Sequence, residues 1–219
     1  MTETNIIITN DQSNTLYHSH LDETYHSRHG AIQESIHVFI KNGLHQINAS
    51  QIQLLEVGFG TGLNCLLSLI EQKNKTHIHY TSLEPYPIQL ETALNLNYPQ
   101  LLNVNKKQFY TLHQASWNKE ERINNFFILK KIKESLQNTN LTENYFNLVY
   151  YDAFGPRAQS EMWTDTCFKI IKKAMQKNGI LVTFCAKGAV KRLLKELGFI
   201  VHTLPGPPGK REMIKATKE

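Results

Sequence analysis

The stretch Leu54-Leu55-Glu56-Val57-Gly58-Phe59-Gly60-Thr61-Gly62-Leu63-Asn64 decides how the chain is read. Leu54, Leu55 and Val57 make a short apolar run, the pattern of a buried strand, and it empties into three glycines at alternate positions. A second apolar run, Leu63 to Ile70, predicts a helix, continued to Glu71. Glycines suit such a junction because the turn needs unusual backbone angles and a ligand has to approach the main chain. The helix that follows presents free N–H groups and the positive end of its dipole to that ligand. The stretch therefore predicts a nucleotide-type pocket.

The spacing narrows the ligand. A dinucleotide turn of the form G-x-G-x-x-G needs glycine at position 63, where Leu63 stands, and no G-x-x-x-x-G-K-[ST] string occurs. What is present is E-x-G-x-G-x-G, which resembles the first motif of class I S-adenosylmethionine-dependent methyltransferases.

Working outward, 219 residues fit one large domain or a domain with an appendage, and 41% apolar with 20% charged residues is ordinary for a soluble chain. No run approaches a membrane span, and Met1-Thr2-Glu3-Thr4-Asn5 lacks the basic flank of a secretory signal. Cys65, Cys167 and Cys185 are odd in number and widely spaced, the usage of reduced thiols in a cytoplasmic protein. The ten histidines have no partners at metal spacing, so no metal is expected. Charge is asymmetric. Residues 1–168 carry 12 Lys+Arg against 16 Asp+Glu, a net of −4, while residues 169–219 carry 12 against 3, a net of +9. A basic final quarter suits a polyanion, nucleic acid first, or else is a solvated helix face.

In chain order, Ile6–Thr9 and Thr15–Tyr17 predict a hairpin, and Ala31 to Lys41 an amphipathic helix ended near Gly43. Residues 1–50 thus form an extension packed on a core of residues 51–219, placed to cover a ligand. Strands are expected at Ile52–Val57, Ile78–Leu83, Phe126–Leu129, Phe146–Tyr151, Ile180–Phe184, Phe199–Leu204 and Glu212–Ala216. Helices are expected at Ile88–Leu96, broken by Asn97-Tyr98-Pro99, at Met162–Met175, closed by Asn178-Gly179, and at Ala189–Leu197, with a short amphipathic piece at Ile132–Leu136. Residues 100–145 give little further pattern. The alternation predicts an α/β, Rossmann-like, mostly parallel doubly wound sheet with an antiparallel edge.

In such sheets the ligand sits beyond the carboxyl ends of the strands. Three strand ends converge there: the Gly58–Gly62 loop, Glu84 and Asp152. Glu84, 26 residues after Gly58, is placed to accept two ribose hydroxyls. Glu56, inside the strand end, needs partners such as loop N–H groups or a ligand ammonium. Asp152-Ala153-Phe154-Gly155-Pro156 holds a carboxylate and a ring at the pocket mouth. A carboxylate there can take the proton of an amine acceptor or orient its N–H, and Phe154 can stack on a base. Asp152 as a plain cap is the competing reading.

Several strings resemble the methyltransferase domain of the MnmC family, which completes 5-methylaminomethyl-uridine at the wobble position of tRNA. They are Asp22-Glu23-Thr24-Tyr25-His26-Ser27 with Gly30, Glu56 to Asn64, Asp152 to Pro156, Glu161-Met162-Trp163, Leu181-Val182-Thr183-Phe184 and Gly209-Lys210-Arg211-Glu212-Met213. The resemblance implies S-adenosylmethionine as donor and an aminomethyl nitrogen as acceptor. It implies Gly58, Gly60 and Gly62, with Glu56, Thr61 and Asn64, around the donor, Glu84 on its ribose, and Asp152 with Phe154 beside the transferred methyl. It also implies the form lacking a flavin oxidase domain, so that a separate enzyme supplies the amine. The acid that the family carries after the third strand, near adenine, is replaced at the nearest equivalent by Lys130-Lys131.

Arg157, Lys187, Lys191, Arg192, Lys210 and Arg211 are candidates to grip phosphates of the anticodon stem-loop. Among the alternatives, transfer of a methyl or aminopropyl group to a small amine predicts no use for a basic surface. A tRNA-binding module without turnover predicts that Asp152 is dispensable.

Overall fold

A computed structural model describes residues 4–72 and 76–219. Met1–Glu3, part of the segment expected to lack a secretory signal, lie outside the described residues. The chain opens with a small antiparallel sheet of β1 (Thr4–Ile8), β2 (Asn14–His18) and β3 (Glu23–Thr24). Helix α1 (Ala31–Ser35) follows and widens into a π-helical stretch at Ile36–Lys41, so the predicted single helix is present in two geometries. Val38, Phe39 and Ile40 are buried, and the Phe39 ring lies 5.1 Å from that of Tyr150, seating this segment on the main sheet.

The main sheet begins with β4 (Gln51–Val57), whose last four residues are all buried. Helix α2 (Leu63–Ile70) is buried from Leu63 to Leu69 because one side packs on the sheet and the other is covered by α1 and the π-helical stretch. Strand β5 (His77–Leu83) pairs parallel with β4. The expected Ile88–Leu96 helix is shorter, α3 (Leu90–Leu94), and the predicted breaker opens a new one, α4 (Tyr98–Leu101). Pro99 sits in the first turn of α4, where its missing N–H has no helical partner to lose.

In the stretch that gave little pattern, α5 (Lys106–Gln114) starts at Asn105, whose side chain accepts from Lys107 N at 2.9 Å, and buries Phe109 and Leu112. Strands β6 (Glu120–Asn124) and β7 (Phe127–Ile132) form an antiparallel pair at the sheet edge. Strand β7 runs three residues beyond the predicted end at Leu129, absorbing Ile132; the expected helical piece there is a loop.

Strand β8 (Phe146–Tyr151) joins β4 on its other side, and Asp152 follows at once. A 3₁₀ turn at Ser160–Trp163 precedes α6 (Asp165–Ala174), capped by the Thr164 hydroxyl. Met175 belongs to β9 (Met175–Thr183), not to the helix. Asn178-Gly179 lies within that strand, at a register irregularity where Asn178 takes φ +63°. Helix α7 (Gly188–Glu196), β10 (Phe199–Pro205) and β11 (Glu212–Lys218) complete the chain.

The strand order is β10-β11-β9-β8-β4-β5-β7-β6, with β7, β5, β4, β8 and β9 parallel and both edges antiparallel. The order reverses between β4 and β8, and there the expected crevice opens. Two apolar clusters cover the two faces, one around α2 and α5 and the other around α6 and α7. Among the described residues no helix is long and apolar enough to cross a membrane, and no group of three or more His, Cys, Asp or Glu could hold a metal ion.

Candidate active site

A cavity of about 780 Å³ lies beyond the carboxyl ends of β4, β5 and β8. Its floor is the sheet: Val57 and Gly58 from β4 and its turn, Leu83, Glu84 and Pro85 after β5, and Asp152, Ala153 and Phe154 after β8. Its roof comes from the N-terminal segment between His18 and Glu34, together with Lys210 from the β10–β11 turn.

Gly58 holds φ +96°, and a Cβ there would lie 2.7 Å from the Asp152 carbonyl oxygen. This glycine lets two strand ends close up under the ligand. The other two glycines do something else. Gly60 faces the Tyr25 ring, with an added Cβ 3.1 Å from it, and Gly62 backs onto His113 and Phe59. Of the three, only Gly58 lines the cavity. Thr61 and Asn64 also stand behind the surface. The Thr61 hydroxyl is 2.7 Å from His26 Nε2, and Asn64 Nδ2 donates to Asp152 Oδ2 at 2.8 Å. Glu56 is fully buried and does not line the cavity either. Five residues expected around the donor (Glu56, Gly60, Thr61, Gly62 and Asn64) therefore stand behind the cavity surface.

Glu84 does form it. Its Oε2 accepts from Gly60 N at 3.0 Å and its Oε1 from Tyr86 N at 2.9 Å. Each oxygen keeps a further lone pair for a ligand hydroxyl. Burial raises its pKa against those two stabilising bonds.

Asp152 opens onto the cavity. Burial and the nearby Glu34 carboxylate push its pKa up to about 7, while the Asn64 hydrogen bond and Lys210 pull the other way. The Phe154 ring stands edge-on to Tyr25 at 4.9 Å, and Trp163 Nε1 pins the Phe154 carbonyl at 2.7 Å. Lys210, expected on a phosphate, instead forms a hydrogen-bonded ion pair with buried Glu34 and lies 3.9 Å from the centroid of the Phe184 ring. The second Glu34 oxygen accepts from Ser27 N at 2.7 Å. His26 is buried, and desolvation lowers its pKa to about 4, so it is neutral.

The other basic candidates lie outside the cavity. Arg157 is exposed and paired with Asp22 and Glu23, Lys191 pairs with Glu212 at 2.6 Å, and Lys187 and Arg211 are exposed. Lys130-Lys131 is not the third strand end. Lys131 is buried inside β7, donates to the His113 carbonyl at 2.7 Å and lies over the Trp117 ring at 4.6 Å. The residues that reach the cavity after β7 are Ser135, Leu136 and Gln137.

Sequence reasoning assigned no site role to Tyr25, His26, Glu34 or Ser135–Gln137. Tyr25 and His26 lie within a quoted family string, which was the available signal. Glu34 looks in sequence like an exposed helix residue, and nothing there announces Lys210 as its partner.

The charge of the lining tests which ligand fits. Glu23, Glu34, Glu84, Asp152 and Glu161 face Arg28 and Lys210, so five carboxylates stand against two cations. An excess of carboxylates around the cavity, with the Glu84 and Asp152 pKa values raised by burial, favours a positively charged ligand. S-adenosylmethionine carries a sulfonium and an ammonium for these carboxylates, a ribose diol for Glu84, and a flat base that suits apolar lining residues such as Leu83, Pro85 and Leu136. The residues fit it.

The fold and site define a class I S-adenosylmethionine-dependent methyltransferase. A family model described as S-adenosyl-L-methionine-dependent methyltransferase matches residues 93–219, and the chain belongs to that family. Among its relatives are proteins named tRNA 5-methylaminomethyl-2-thiouridine biosynthesis bifunctional protein MnmC. That of Cupriavidus metallidurans is 29% identical over 96% of this chain and 33% of its own length. That of Cupriavidus necator is 31% identical over 92% and 32%. The chain thus spans about a third of the length of these curated relatives. The crystal structure of MNMC2 from Aquifex aeolicus superposes with a TM-score of 0.80 at 23% identity, over 100% of this chain and 71% of that one. A CurJ carbon methyltransferase shares the fold at a TM-score of 0.52 and 15% identity, over 86% of this chain and 55% of that one.

Proposed function

We propose that this chain methylates the 5-aminomethyl nitrogen of wobble (2-thio)uridine in tRNA, the aminomethyl group being made beforehand by a separate enzyme. The observation that carries the reading is Asp152: a carboxylate with a pKa near 7, at the mouth of an acidic donor cavity, beside an aromatic edge. Relatives named for tRNA 5-methylaminomethyl-2-thiouridine biosynthesis support this choice of acceptor.

When bound, S-adenosylmethionine supplies an electrophilic methyl whose departure leaves a neutral thioether. The rest falls to the protein. An aminomethyl acceptor arrives mostly as its ammonium, which cannot attack. Ionised Asp152 draws that cation in and takes one proton, freeing the nitrogen lone pair. Asn64 holds the receiving carboxylate in one orientation. Phe154, with Tyr25 at its edge, forms an aromatic wall against which an unstacked base can lie. Positioning carries most of the rate, as in-line displacement requires. Exposed Arg157, Lys187 and Arg211 are the residues we assign to the phosphates of the anticodon stem-loop.

The test is transfer of labelled methyl to tRNA that lacks the terminal methyl, with small amines in parallel. Label in the wobble nucleoside, weakened by added salt, is expected. Intact donor binding without transfer to tRNA, or salt-independent transfer to free amines, overturns the acceptor assignment.

A further inference from the structure

Of the basic residues expected on phosphates, Lys210 alone lines the cavity. The turn that carries it is held from both sides. Gly209, just before it, takes φ +81°, and a Cβ there would overlap the His29 ring, so the glycine lets the β10–β11 turn close down on the N-terminal segment. Lys210 N donates to the Pro207 carbonyl at 2.9 Å, and His37 Nε2 donates to the Pro205 carbonyl at 2.8 Å. The side chain is fixed as well. Its ammonium donates to buried Glu34, whose other oxygen accepts from Ser27 N at 2.7 Å, and it lies 3.9 Å from the Phe184 ring centroid. An ammonium has three donors, and Glu34 is the one hydrogen-bond acceptor that Lys210 Nζ meets among the described residues. The side chain stays partly open, so donors remain for a ligand in the cavity.

Such a cation has a meaning for a 5-substituted pyrimidine. With the aminomethyl nitrogen at Asp152, the ring carbon that carries the substituent has two neighbours, C4 and C6. C6 bears only hydrogen. C4 bears the exocyclic group that separates the two pyrimidines, a carbonyl acceptor in uracil and an amino donor in cytosine. Lys210 is the cation whose charge acts on Asp152, and it stands in the roof of the same cavity. Having donors and no acceptor, it can bond the uracil carbonyl and has nothing to offer the cytosine amino group.

We infer that Lys210 selects uracil over cytosine, its ammonium donating to O4 of the base whose 5-aminomethyl nitrogen stands at Asp152. The inference rests on the acceptor proposed above. Glu34, with the Phe184 ring, is then what holds the ammonium in place, so Glu34 is a positioning residue and Lys210 the one that touches the substrate.

Anticodon stem-loop RNAs with 5-aminomethyluridine or 5-aminomethylcytidine at the wobble position, given to the whole protein with labelled donor, test it. The wild type should favour the uridine about ten- to a hundredfold in kcat/KM, the worth of one charge-assisted hydrogen bond. In Lys210→Met the two RNAs should be used within about twofold of each other. Loss of folded protein lowers both rates alike and leaves their ratio unmoved, so a merely structural Lys210 predicts an intact ratio. Glu34→Gln combined with Lys210→Met leaves no unpaired charge in the roof and should show the same lost preference; it carries the test if the single variant does not fold. Equal use of both RNAs by the wild type, or a preference that survives the loss of Lys210, overturns the inference and leaves the acceptor assignment standing. Transfer to neither RNA, with the donor bound, overturns the acceptor assignment and the inference with it.

Discussion

The floor and the roof of the cavity are built on opposite plans. The floor is three strand ends of one parallel sheet, each followed at once by its working residue: Gly58 after β4, Glu84 after β5, Asp152 after β8. The roof is gathered from the N-terminal segment and the β10–β11 turn, and its central contact, Glu34 with Lys210, joins residues 176 apart in sequence. The floor is topology, and it comes with the class of protein. The roof is tertiary, assembled from segments remote in sequence.

Substitutions can break that contrast. The largest effect should come from Asp152→Asn, which keeps shape and removes the proton acceptor. We expect kcat to fall about 10²- to 10⁴-fold with donor binding retained. In the wild type the rate should climb with pH through about 7 as Asp152 ionises, and that limb should vanish in the variant.

Next is Gly58→Ala. With φ +96° and the Asp152 carbonyl 2.7 Å from the new methyl, the floor must open, costing about 1–3 kcal/mol of stability along with donor affinity. Gly155→Ala, whose methyl meets nothing within 4 Å, is the control and should be silent in thermal denaturation.

The smallest effect belongs to the roof. Lys210→Met leaves Glu34 buried without its cation, costing ~2 kcal/mol once the partial exposure of Lys210 is discounted. The acceptor KM should rise and donor affinity, measured by calorimetry, should hold. A loss of donor affinity equal to the loss of acceptor would mean that the two surfaces are not separable.

The same division explains what could be read from residues alone. The strands carrying Gly58, Glu84 and Asp152 were legible because each is a short apolar run stopped by turn residues, a local signal. So was the place of the crevice, since topology dictates it. The role of each glycine was not. The spacing suggested a ligand at all three, yet Gly60 makes room for the Tyr25 ring and Gly62 for His113, neighbours contributed by remote segments. Lys130-Lys131 misled for a related reason. A lysine reads as the end of a buried strand, but Lys131 stays inside β7 because its ammonium lies over the Phe59 and Trp117 rings and donates to a carbonyl. Helix α5 was hidden in polar sequence, although Asn105 as cap and Phe109 with Leu112 at helical spacing were there to be found.

The Glu34–Lys210 contact also sets an order of events during synthesis. Glu34 leaves the ribosome 176 residues ahead of its partner. Until then the carboxylate has no counter-charge, and α1 has no reason to bury it. The acidic half of the roof is thus made long before the charge that neutralises it.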